Sequence, residues 1–364
     1  MNDFPAHPDE ITAQWLTSML RGAGDLDSAT EVVGFETEVI GEGISLLGLV
    51  VRVALEYSGA GASAPDTVVI KFATPVEVNR AVAMNTNMYG REIDFFDNIA
   101  PQIEMPLPRC YFAAIDPATG DNAVVLEDLK AYRAGDQILG IDAEEAKAII
   151  DSFTPLTAGF WGRTDQPLLA DTMRIDASYV DSFVPSVDMT WERCRELFPH
   201  AITPDVLEAL PRFVDSLRDL HRMMGERTQT LVHGDVRLDN VMFAQQADQH
   251  PIVLIDWQAI MISNPMQDLA YMLSQSMDTD IRRQCEEELI AYYRDALTAS
   301  GVEGYTLEQA RDDYDIAVLW IMAYPIIIGG FCDTDQERAV TLAELVLARS
   351  SQTVTDRNLL ARLP

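Results

Sequence analysis

The first third of the chain has the pattern of a strand-rich unit. Short runs rich in Val and Ile are separated by turn residues, as is typical of strands. These runs predict strands at residues 31–40, 49–57, 67–73, 109–115 and 123–126. Two helices are predicted in the same third, at about residues 9–21 and 77–98.

The remaining two thirds of the chain predict mainly helices. Apolar residues recur mostly three and four positions apart, as on the buried face of a helix. The predicted helices cover about residues 143–161, 204–224, 265–277, 281–299, 307–324 and 334–349. One short β segment, residues 231–256, interrupts them. This order predicts an α+β fold with two lobes and a cleft between them, residues 1–128 and 129–364, around a hinge at residues 127–129.

Composition and charge narrow the class of partner. The 364 residues are 48% hydrophobic and 23% charged, which is typical of a soluble globular protein. The net charge of −32 argues against a nucleic acid or an anionic membrane as partner, since both need clustered Lys and Arg. This charge suits a cationic substrate. However, acidic residues are spread over every region, which favours a solvated acidic surface instead.

Neither the cysteines nor the apolar runs indicate export or membrane insertion. The four cysteines lie far apart and the five histidines do not cluster near them, which disfavours a disulfide framework and a zinc site. The acidic N-terminal decapeptide is not expected to be a signal peptide. The longest uncharged apolar run, residues 316–332, is shorter than the ~20 residues of a spanning helix. We therefore expect a buried helix there and a cytoplasmic protein.

A lysine inside a buried strand is unusual in this chain. Only three lysines occur, and Lys71 lies among five apolar residues of the strand predicted at residues 67–73. A buried lysine is costly unless it is paired. Glu92 lies in the next predicted helix, and its neighbours at helical spacing are all apolar or aromatic. We expect a buried ion pair between them, with a purely structural pair or a lysine that snorkels to the surface as alternatives.

The most informative segment is LVHGDVRLDN, residues 231–240. Asp235 and Asn240 lie on an expected loop that leads into a short strand, and Asp256 follows a second short strand. If the two strands form an antiparallel hairpin, Asn240 and Asp256 lie at the same open end of the hairpin. The loop that carries Asp235 leads into that end. Carboxylate and amide oxygens suit Mg²⁺. The carboxylate that does not bind the metal can accept a proton from a hydroxyl group.

HGDVRLDN followed by LIDW resembles the signature of the aminoglycoside phosphotransferase and choline kinase families. There it stands in for the HRDxxxxN and DFG motifs of protein kinases. The resemblance implies a protein-kinase-like bilobal fold, with an N-terminal antiparallel β-sheet lobe with a helix and a larger helical lobe. It also implies the roles of phosphoryl transfer. Asp235 would take the hydroxyl proton, Asn240 and Asp256 would hold Mg²⁺, and Lys71 with Glu92 would position the phosphates of ATP, with GTP as the alternative.

Further segments extend the resemblance. PLPRCYFA, VVLEDL and residues 265–271 resemble the ecdysteroid-kinase-like branch and related bacterial phosphotransferases. Residues 41–48 are glycine-rich and lie between two predicted strands, so Gly43 is assigned to a loop that covers the phosphates, with a plain hairpin turn as the alternative. Asp268 would be a structural group that bonds back to the catalytic loop from a helix start.

The resemblance also implies contacts to the adenine base. The backbone of Glu127 and Leu129 would meet its polar edge. Met242 and Ile255 would pack against it, and both would be apolar core in any case.

Four residues in or near residues 231–240, which we call the catalytic segment after its predicted role, have more than one interpretation. Arg237 either contacts the γ-phosphate or supports the loop. We expect His233 to hydrogen-bond within the loop rather than to act as a base, and Asp239 to be solvated. Trp257 either lines the acceptor site or packs in the core.

The favoured function is ATP-dependent phosphorylation of a small alcohol. A dense apolar segment, residues 320–331, favours a largely apolar acceptor, and an aminoglycoside- or choline-type kinase with a cationic acceptor is the alternative. A pseudokinase-like nucleotide-binding regulatory module is the alternative from another class, disfavoured because the catalytic set is complete. A protein kinase is disfavoured because no long activation segment follows Asp256. We expect no nucleic-acid or membrane partner, and the oligomeric state stays open.

Overall fold

The computed structural model describes residues 3–41, 47–59 and 64–364, without the side chain of Ser178. The chain divides into two compact units, which we call the sheet unit and the helical unit. The sheet unit takes residues up to Arg133 together with Ala244–Gln249 and Ile255–Ala259. The helical unit takes Ala134–Phe243, His250–Leu254 and Ile260–Pro364.

The sheet unit is built on a five-stranded antiparallel sheet in the order β1-β2-β3-β5-β4. All the strands predicted in the first third are present. Their bounds are Val32–Ile40 (β1), Gly48–Tyr57 (β2), Thr67–Ala73 (β3), Cys110–Ile115 (β4) and Asn122–Glu127 (β5). The central strand β3 pairs with β2 and β5, so Lys71 is held in register between Val50 and Val124.

Helix α1, Ala13–Gly22, covers part of this sheet. The Thr12 side chain caps it by accepting a hydrogen bond from the backbone N–H of Trp15. Its buried residues Leu16, Met19 and Leu20 join one hydrophobic cluster with the sheet residues Val51 and Ile70. This apolar packing is the main source of the sheet unit's stability.

The helical segment predicted at residues 77–98 is confirmed, but it is not one continuous helix. Two helices form, α2 (Glu77–Asn85) and α3 (Met88–Asp94), followed by a wide turn at Phe95–Ile99. Asn87 lies between them in the left-handed region, with φ 52°, which asparagine tolerates better than most residues. A Cβ at Gly90 would collide with the Asn87 side chain, so the glycine makes this break possible.

The helical unit contains every helix predicted in the last two thirds, with shifted ends, and additional ones. Its helices are Ala143–Gly159 (α4), Ala177–Leu197 (α5), Pro204–Gly225 (α6), Gln267–Ser276 (α7), Thr279–Ala299 (α8), Leu307–Ile321 (α9), Ala323–Phe331 (α10) and Glu337–Asp356 (α11). Helix α5 was not predicted, since Pro185 in its middle reads as a breaker.

The helix predicted at residues 307–324 ends early. Pro325 has no N–H for the carbonyl of Ile321, so α9 ends there and α10 begins at Ala323. The Gln275 side chain donates to that carbonyl at 3.4 Å. The stretch Leu307–Phe331 is apolar and long enough to cross a membrane, but 72% of its most apolar window is buried inside the protein, as in a core helix.

Short strands of the helical unit form two small sheets. The predicted hairpin is present, with Val241–Phe243 (β9) antiparallel to Ile252–Leu254 (β10). The strand Arg133–Ala134 (β6) extends this sheet beside β9. The second sheet combines Met173–Arg174 (β7), Thr230–Val232 (β8) and Met261–Ser263 (β11), with β11 in the middle.

Candidate active site

Lys71 forms the predicted ion pair within the sheet unit. Its Nζ lies 2.9–3.0 Å from the two carboxylate oxygens of Glu92 and 2.8 Å from Oδ1 of Asp256. The exposed side-chain fractions are 10% for Lys71, 3% for Glu92 and 36% for Asp256. The Lys71 ammonium is therefore held between the buried carboxylate of Glu92 and the accessible carboxylate of Asp256. A purely structural ion pair would need only one carboxylate.

The pKa directions fit a charged lysine. Burial lowers the pKa of the Lys71 ammonium, but the carboxylates of Asp256 and Glu92 outweigh it, so that the pKa is raised. Burial raises the pKa of Glu92, and Lys71 opposes this shift. The buried glutamate therefore depends on the lysine to stay ionised.

A short turn fixes the residues that follow Asp256. The indole of Trp257 stacks on the Phe95 ring, with centroids 3.9 Å apart and planes 5° from parallel. Gln258 donates from Nε2 to Glu92 Oε2 at 3.3 Å. Trp257 is fully buried, so the structure shows it packed in the core, which is one of its two predicted roles. Gln258 was not recognised in the sequence, where its position directly after the LIDW motif was the only signal.

Asp256 itself has an unusual backbone. Its φ is 65°, in the left-handed region where few residues other than glycine occur, although aspartate is enriched there. Such outliers cluster at functional sites. The conformation presents a carboxylate that is more than a third exposed directly after the buried strand β10.

In the helical unit, Asp268 at the start of α7 holds the catalytic segment. Its carboxylate accepts hydrogen bonds from the backbone N–H groups of His233 at 2.7 Å and Gly234 at 2.9 Å. Asp235 donates its own N–H to Nδ1 of His233 at 3.3 Å. Gly234 has φ 84°, which an L-residue rarely adopts. The structural roles predicted for Asp268 and His233 are confirmed by these bonds.

Asp235 and Asn240 are joined by hydrogen bonds. The Asn240 Nδ2 donates to the carbonyl of Asp235 at 3.0 Å and to its Oδ2 at 2.9 Å. This fixes the amide, and its Oδ1 accepts no hydrogen bond from the described residues. An amide oxygen that accepts no hydrogen bond is suited to bind Mg²⁺. Within the described ranges, no group of three or more His, Cys, Asp or Glu side chains could hold a metal, so any Mg²⁺ would rely on mixed oxygen ligands and phosphates.

Arg237 and Asp239 form an ion pair at 3.0 Å. The Asp239 side chain is only 7% exposed, so the expectation that it is solvated is wrong. It also lies 3.5 Å from the backbone N–H of Gln137, a buried residue whose side-chain oxygen accepts from the N–H of Leu238 at 2.8 Å. Loop support for Arg237 is therefore present in the structure. Gln137 was missed because it lies 101 residues away in sequence.

The other candidates for nucleotide contact are spread over both units. Glu127 ends β5 with an exposed side chain, and Leu129 is buried in the same unit. Ile255 is half-buried in the sheet unit, whereas Met242 is half-buried in β9 of the helical unit. Gly43 lies outside the described residues.

A family model for the ecdysteroid kinase-like family matches residues 43–301. The chain belongs to this family. Its members are kinase-like phosphotransferases, and the match covers both the Lys71 region and the catalytic segment.

Curated relatives of this ecdysteroid kinase-like chain are longer proteins. An uncharacterized oxidoreductase, dhs-27, of Caenorhabditis elegans is 23% identical over 325 residues, covering 80% of this chain and 38% of that protein. Acyl-CoA dehydrogenase family member 11 of Homo sapiens is 25% identical over 171 residues, covering 46% of this chain and 21% of that protein. The chain spans less than two fifths of the length of these relatives.

Solved structures show the same fold. A GDP complex of wild-type aminoglycoside 2'-phosphotransferase-IIIa has a TM-score of 0.54 at 13% identity, covering 94% of this chain and 99% of that one. An aminoglycoside phosphotransferase described as putative, from Ralstonia eutropha, has a TM-score of 0.53 at 15% identity, covering 96% and 98%. The ecdysteroid kinase-like chain therefore has the protein-kinase-like phosphotransferase fold that its motifs implied.

Proposed function

We propose that this protein is a Mg²⁺-dependent kinase that transfers the γ-phosphate of ATP to the hydroxyl group of a small, largely apolar alcohol. The observation that carries this proposal is the lysine held between two carboxylates, Lys71 with Glu92 at 2.9 Å and Asp256 at 2.8 Å. The buried glutamate orients the ammonium, and the accessible aspartate is positioned to exchange this contact for a ligand. Such a lysine binds nucleotide phosphates in kinases.

Asp235 is the proposed base. The hydroxyl oxygen of the acceptor forms a bond to the γ-phosphorus while the bond from that phosphorus to the bridging oxygen of ADP breaks, and the hydroxyl proton passes to the Asp235 carboxylate. The hydrogen bonds from Asn240 and the anchoring of the loop by Asp268 hold this carboxylate in one orientation. Arg237, already paired with Asp239, would support the loop and add positive charge for the phosphates.

Asn240 and Asp256 are the proposed metal ligands. Their oxygens are of the hard type that Mg²⁺ prefers. Asn240 precedes β9 and Asp256 follows β10 in the hairpin. When bound, Mg²⁺ supplies positive charge that offsets the charge of the phosphates. The adenine contacts proposed for Glu127, Leu129, Met242 and Ile255 remain proposals, as does the phosphate-covering role of Gly43.

The largely apolar acceptor is supported by the helical unit. Residues 320–331, which span the end of α9 and α10, are almost all apolar. The net charge of −32 favours the alternative, a cationic acceptor such as an aminoglycoside or choline. A cytoplasmic location is proposed because all four cysteines are free thiols.

The test is nucleotide consumption by the purified protein across a panel of acceptors, with ATP and GTP compared. The panel contains sterols, terpenoid alcohols, phenols, choline and aminoglycosides. Turnover with an apolar alcohol supports the proposal. Efficient turnover of aminoglycosides or choline alone contradicts the acceptor class.

A matched pair of variants separates catalysis from binding. Asp235→Asn should lower turnover by about 10²–10⁴ while the affinity for ATP is kept, since a positioned base contributes that much. Asp248→Asn, the same substitution in the exposed β9–β10 turn, should leave turnover unchanged. If the wild-type protein binds Mg²⁺ and ATP but turns over no acceptor, the regulatory-module alternative is favoured.

A further inference from the structure

Aromatic side chains from several helices of the helical unit meet in one cluster, which we call the aromatic cluster. Its members are Tyr179, Phe183, His221, Tyr271, Trp320 and Tyr324. They come from α5, α6, α7, α9 and α10. Residues so far apart in sequence are brought together only by the tertiary fold.

The rings of the aromatic cluster are in direct contact. Phe183 lies 5.0 Å from Trp320 and 5.5 Å from Tyr324, measured between ring centroids. The Tyr271 and Tyr324 rings are 5.6 Å apart, and the hydroxyl groups of Tyr179 and Tyr324 are 3.4 Å apart. These distances are those of favourable aromatic pairs. The cluster is therefore a continuous aromatic wall.

One side of this wall reaches solvent. Tyr179, Phe183 and Tyr324 are half-buried, whereas Trp320 behind them is fully buried. Single aromatic residues at a surface are common, but several half-buried rings in mutual contact form an apolar surface that a ligand can cover.

Two buried polar atoms in the cluster are unpaired. Trp320 Nε1 and His221 Nε2 have no hydrogen-bond partner among the residues that the structure describes, and both side chains are more than nine-tenths buried. Burial lowers the pKa of His221, so its imidazole is neutral. Buried polar atoms are normally hydrogen-bonded. An ordered water or a polar group of a ligand would supply the hydrogen bond that each atom lacks.

Tyr271 connects the aromatic cluster to the proposed base. It lies three residues after Asp268 on α7, so both side chains are on one face of the helix that holds the catalytic segment. Burial, and after it the nearby Asp235 carboxylate, raise the pKa of the Tyr271 phenol well above its ordinary value. The phenol therefore stays protonated and neutral beside Asp235.

We propose that the aromatic cluster is the acceptor subsite of this kinase and that it selects a flat aromatic alcohol, with the hydroxyl group to be phosphorylated directed toward Asp235. This rests on the proposed function and narrows it from any apolar alcohol to one class. Ring stacking against Phe183 and Tyr324 distinguishes a planar acceptor from a straight chain of equal carbon number. A second polar group on the ring pairs with Nε2 of His221.

Equilibrium binding of two probe alcohols to the wild-type protein tests this subsite without turnover. The probes are naphthylmethanol and undecanol, which have the same number of carbon atoms. The nucleotide site is first filled with a non-hydrolysable ATP analogue, so that neither probe binds there. Wild-type protein should bind naphthylmethanol more tightly than undecanol.

Two variants and one control locate the binding. Phe183→Leu and Tyr324→Leu, each removing a ring at a half-buried position, should weaken naphthylmethanol binding about three- to tenfold and leave undecanol unchanged. Trp191→Leu, at a half-buried ring on the same helix α5 but outside the aromatic cluster, should change neither. Circular dichroism verifies that each variant is folded. Phe183→Leu and Tyr324→Leu should weaken the binding of naphthylmethanol in the same direction.

A third probe tests the unpaired nitrogen atoms. Naphthylmethanol with an added ring hydroxyl should bind wild-type protein several-fold more tightly than naphthylmethanol, and His221→Phe should remove this advantage. Equal binding of naphthylmethanol and undecanol, or binding unaffected by both leucine variants, overturns the subsite even if the protein is a kinase. Failure to bind the ATP analogue, by contrast, contradicts the proposed function while the probe measurements still report on the cluster.

Discussion

Removing the charge of Lys71 should destabilise the protein strongly, and a second substitution at Glu92 should restore much of the loss. In Lys71→Met, the Glu92 carboxylate loses an ammonium at 2.9 Å while its side chain stays only 3% exposed. Breaking a buried pair by removing one partner costs about 3–5 kcal/mol. Asp256, at 36% exposed, is screened by water, so losing its contact adds at most about 1 kcal/mol.

Two comparisons make this expectation specific. Glu92→Gln keeps the Lys71–Asp256 contact and the bond to Gln258, so it should cost only about 1–3 kcal/mol. The double variant Lys71→Met/Glu92→Leu replaces the buried pair by apolar groups, which is often close to neutral. It should therefore be at least about 2 kcal/mol more stable than Lys71→Met alone.

Denaturant unfolding measures these differences. Circular dichroism and tryptophan fluorescence should give coincident transitions with an unchanged slope, so that midpoints report stability. The deficit of Lys71→Met should also shrink as the pH is lowered. Burial raises the pKa of Glu92, and a carboxyl group whose pKa is raised by folding destabilises the fold as the pH rises through that pKa. A double variant no more stable than Lys71→Met would refute the reasoning.

Three further outcomes are expected. Asp268→Asn replaces one acceptor oxygen facing two buried backbone N–H groups, so it should cost about 1–3 kcal/mol in unfolding free energy and also lower turnover. Burial raises the pKa of Asp313 to about 6, although the hydrogen bond from Tyr305 and the charge of Arg227 lower this pKa. Between about pH 4 and pH 7 the wild-type protein should therefore lose up to roughly 3 kcal/mol relative to Asp313→Asn, and parallel pH profiles would contradict this. Asp256→Ala should abolish turnover and weaken the Mg²⁺ dependence of ATP binding measured by calorimetry, and an unchanged dependence would remove Asp256 from the metal site.

The local sequence pattern predicted those strands and contacts that depend on residues close together in the chain. Runs rich in Val and Ile predicted the strands of the sheet unit, because each is bounded by turn residues. The Lys71–Glu92 pair could be predicted because each charge lay alone among apolar residues, and burial leaves such charges few alternatives. The hairpin of β9 and β10 and the anchoring by Asp268 followed from the signature motif.

Contacts between distant segments were not predictable in this way. The bond from Gln258 to Glu92 spans 166 residues, and the position of Gln258 after the LIDW motif does not identify its partner. Helix α5 was missed because Pro185 suggests a break, whereas tertiary packing keeps the helix continuous. There a Cβ at Gly330 would lie 2.7 Å from Thr190 Cα, so the glycine lets α10 approach α5 closely.

The proposed acceptor subsite is the part that the sequence predicted least. Its aromatic cluster draws residues from helices that span Tyr179 to Tyr324, and no local pattern shows that these residues meet. Asp239 was expected in solvent for a related reason, since neither its ion pair with Arg237 nor its burial beside Gln137 was predicted from the sequence.

The most direct test of the kinase assignment is detection of the product. Phosphorus NMR of a reaction containing ATP, Mg²⁺, the wild-type protein and naphthylmethanol should show a new phosphate monoester together with ADP. The same reaction with Asp235→Asn should show neither above background within the same time, while Asp248→Asn should match the wild type. ATP hydrolysis to ADP and inorganic phosphate without any monoester, for this and every other alcohol of the panel, would contradict the claim that the protein phosphorylates a hydroxyl group.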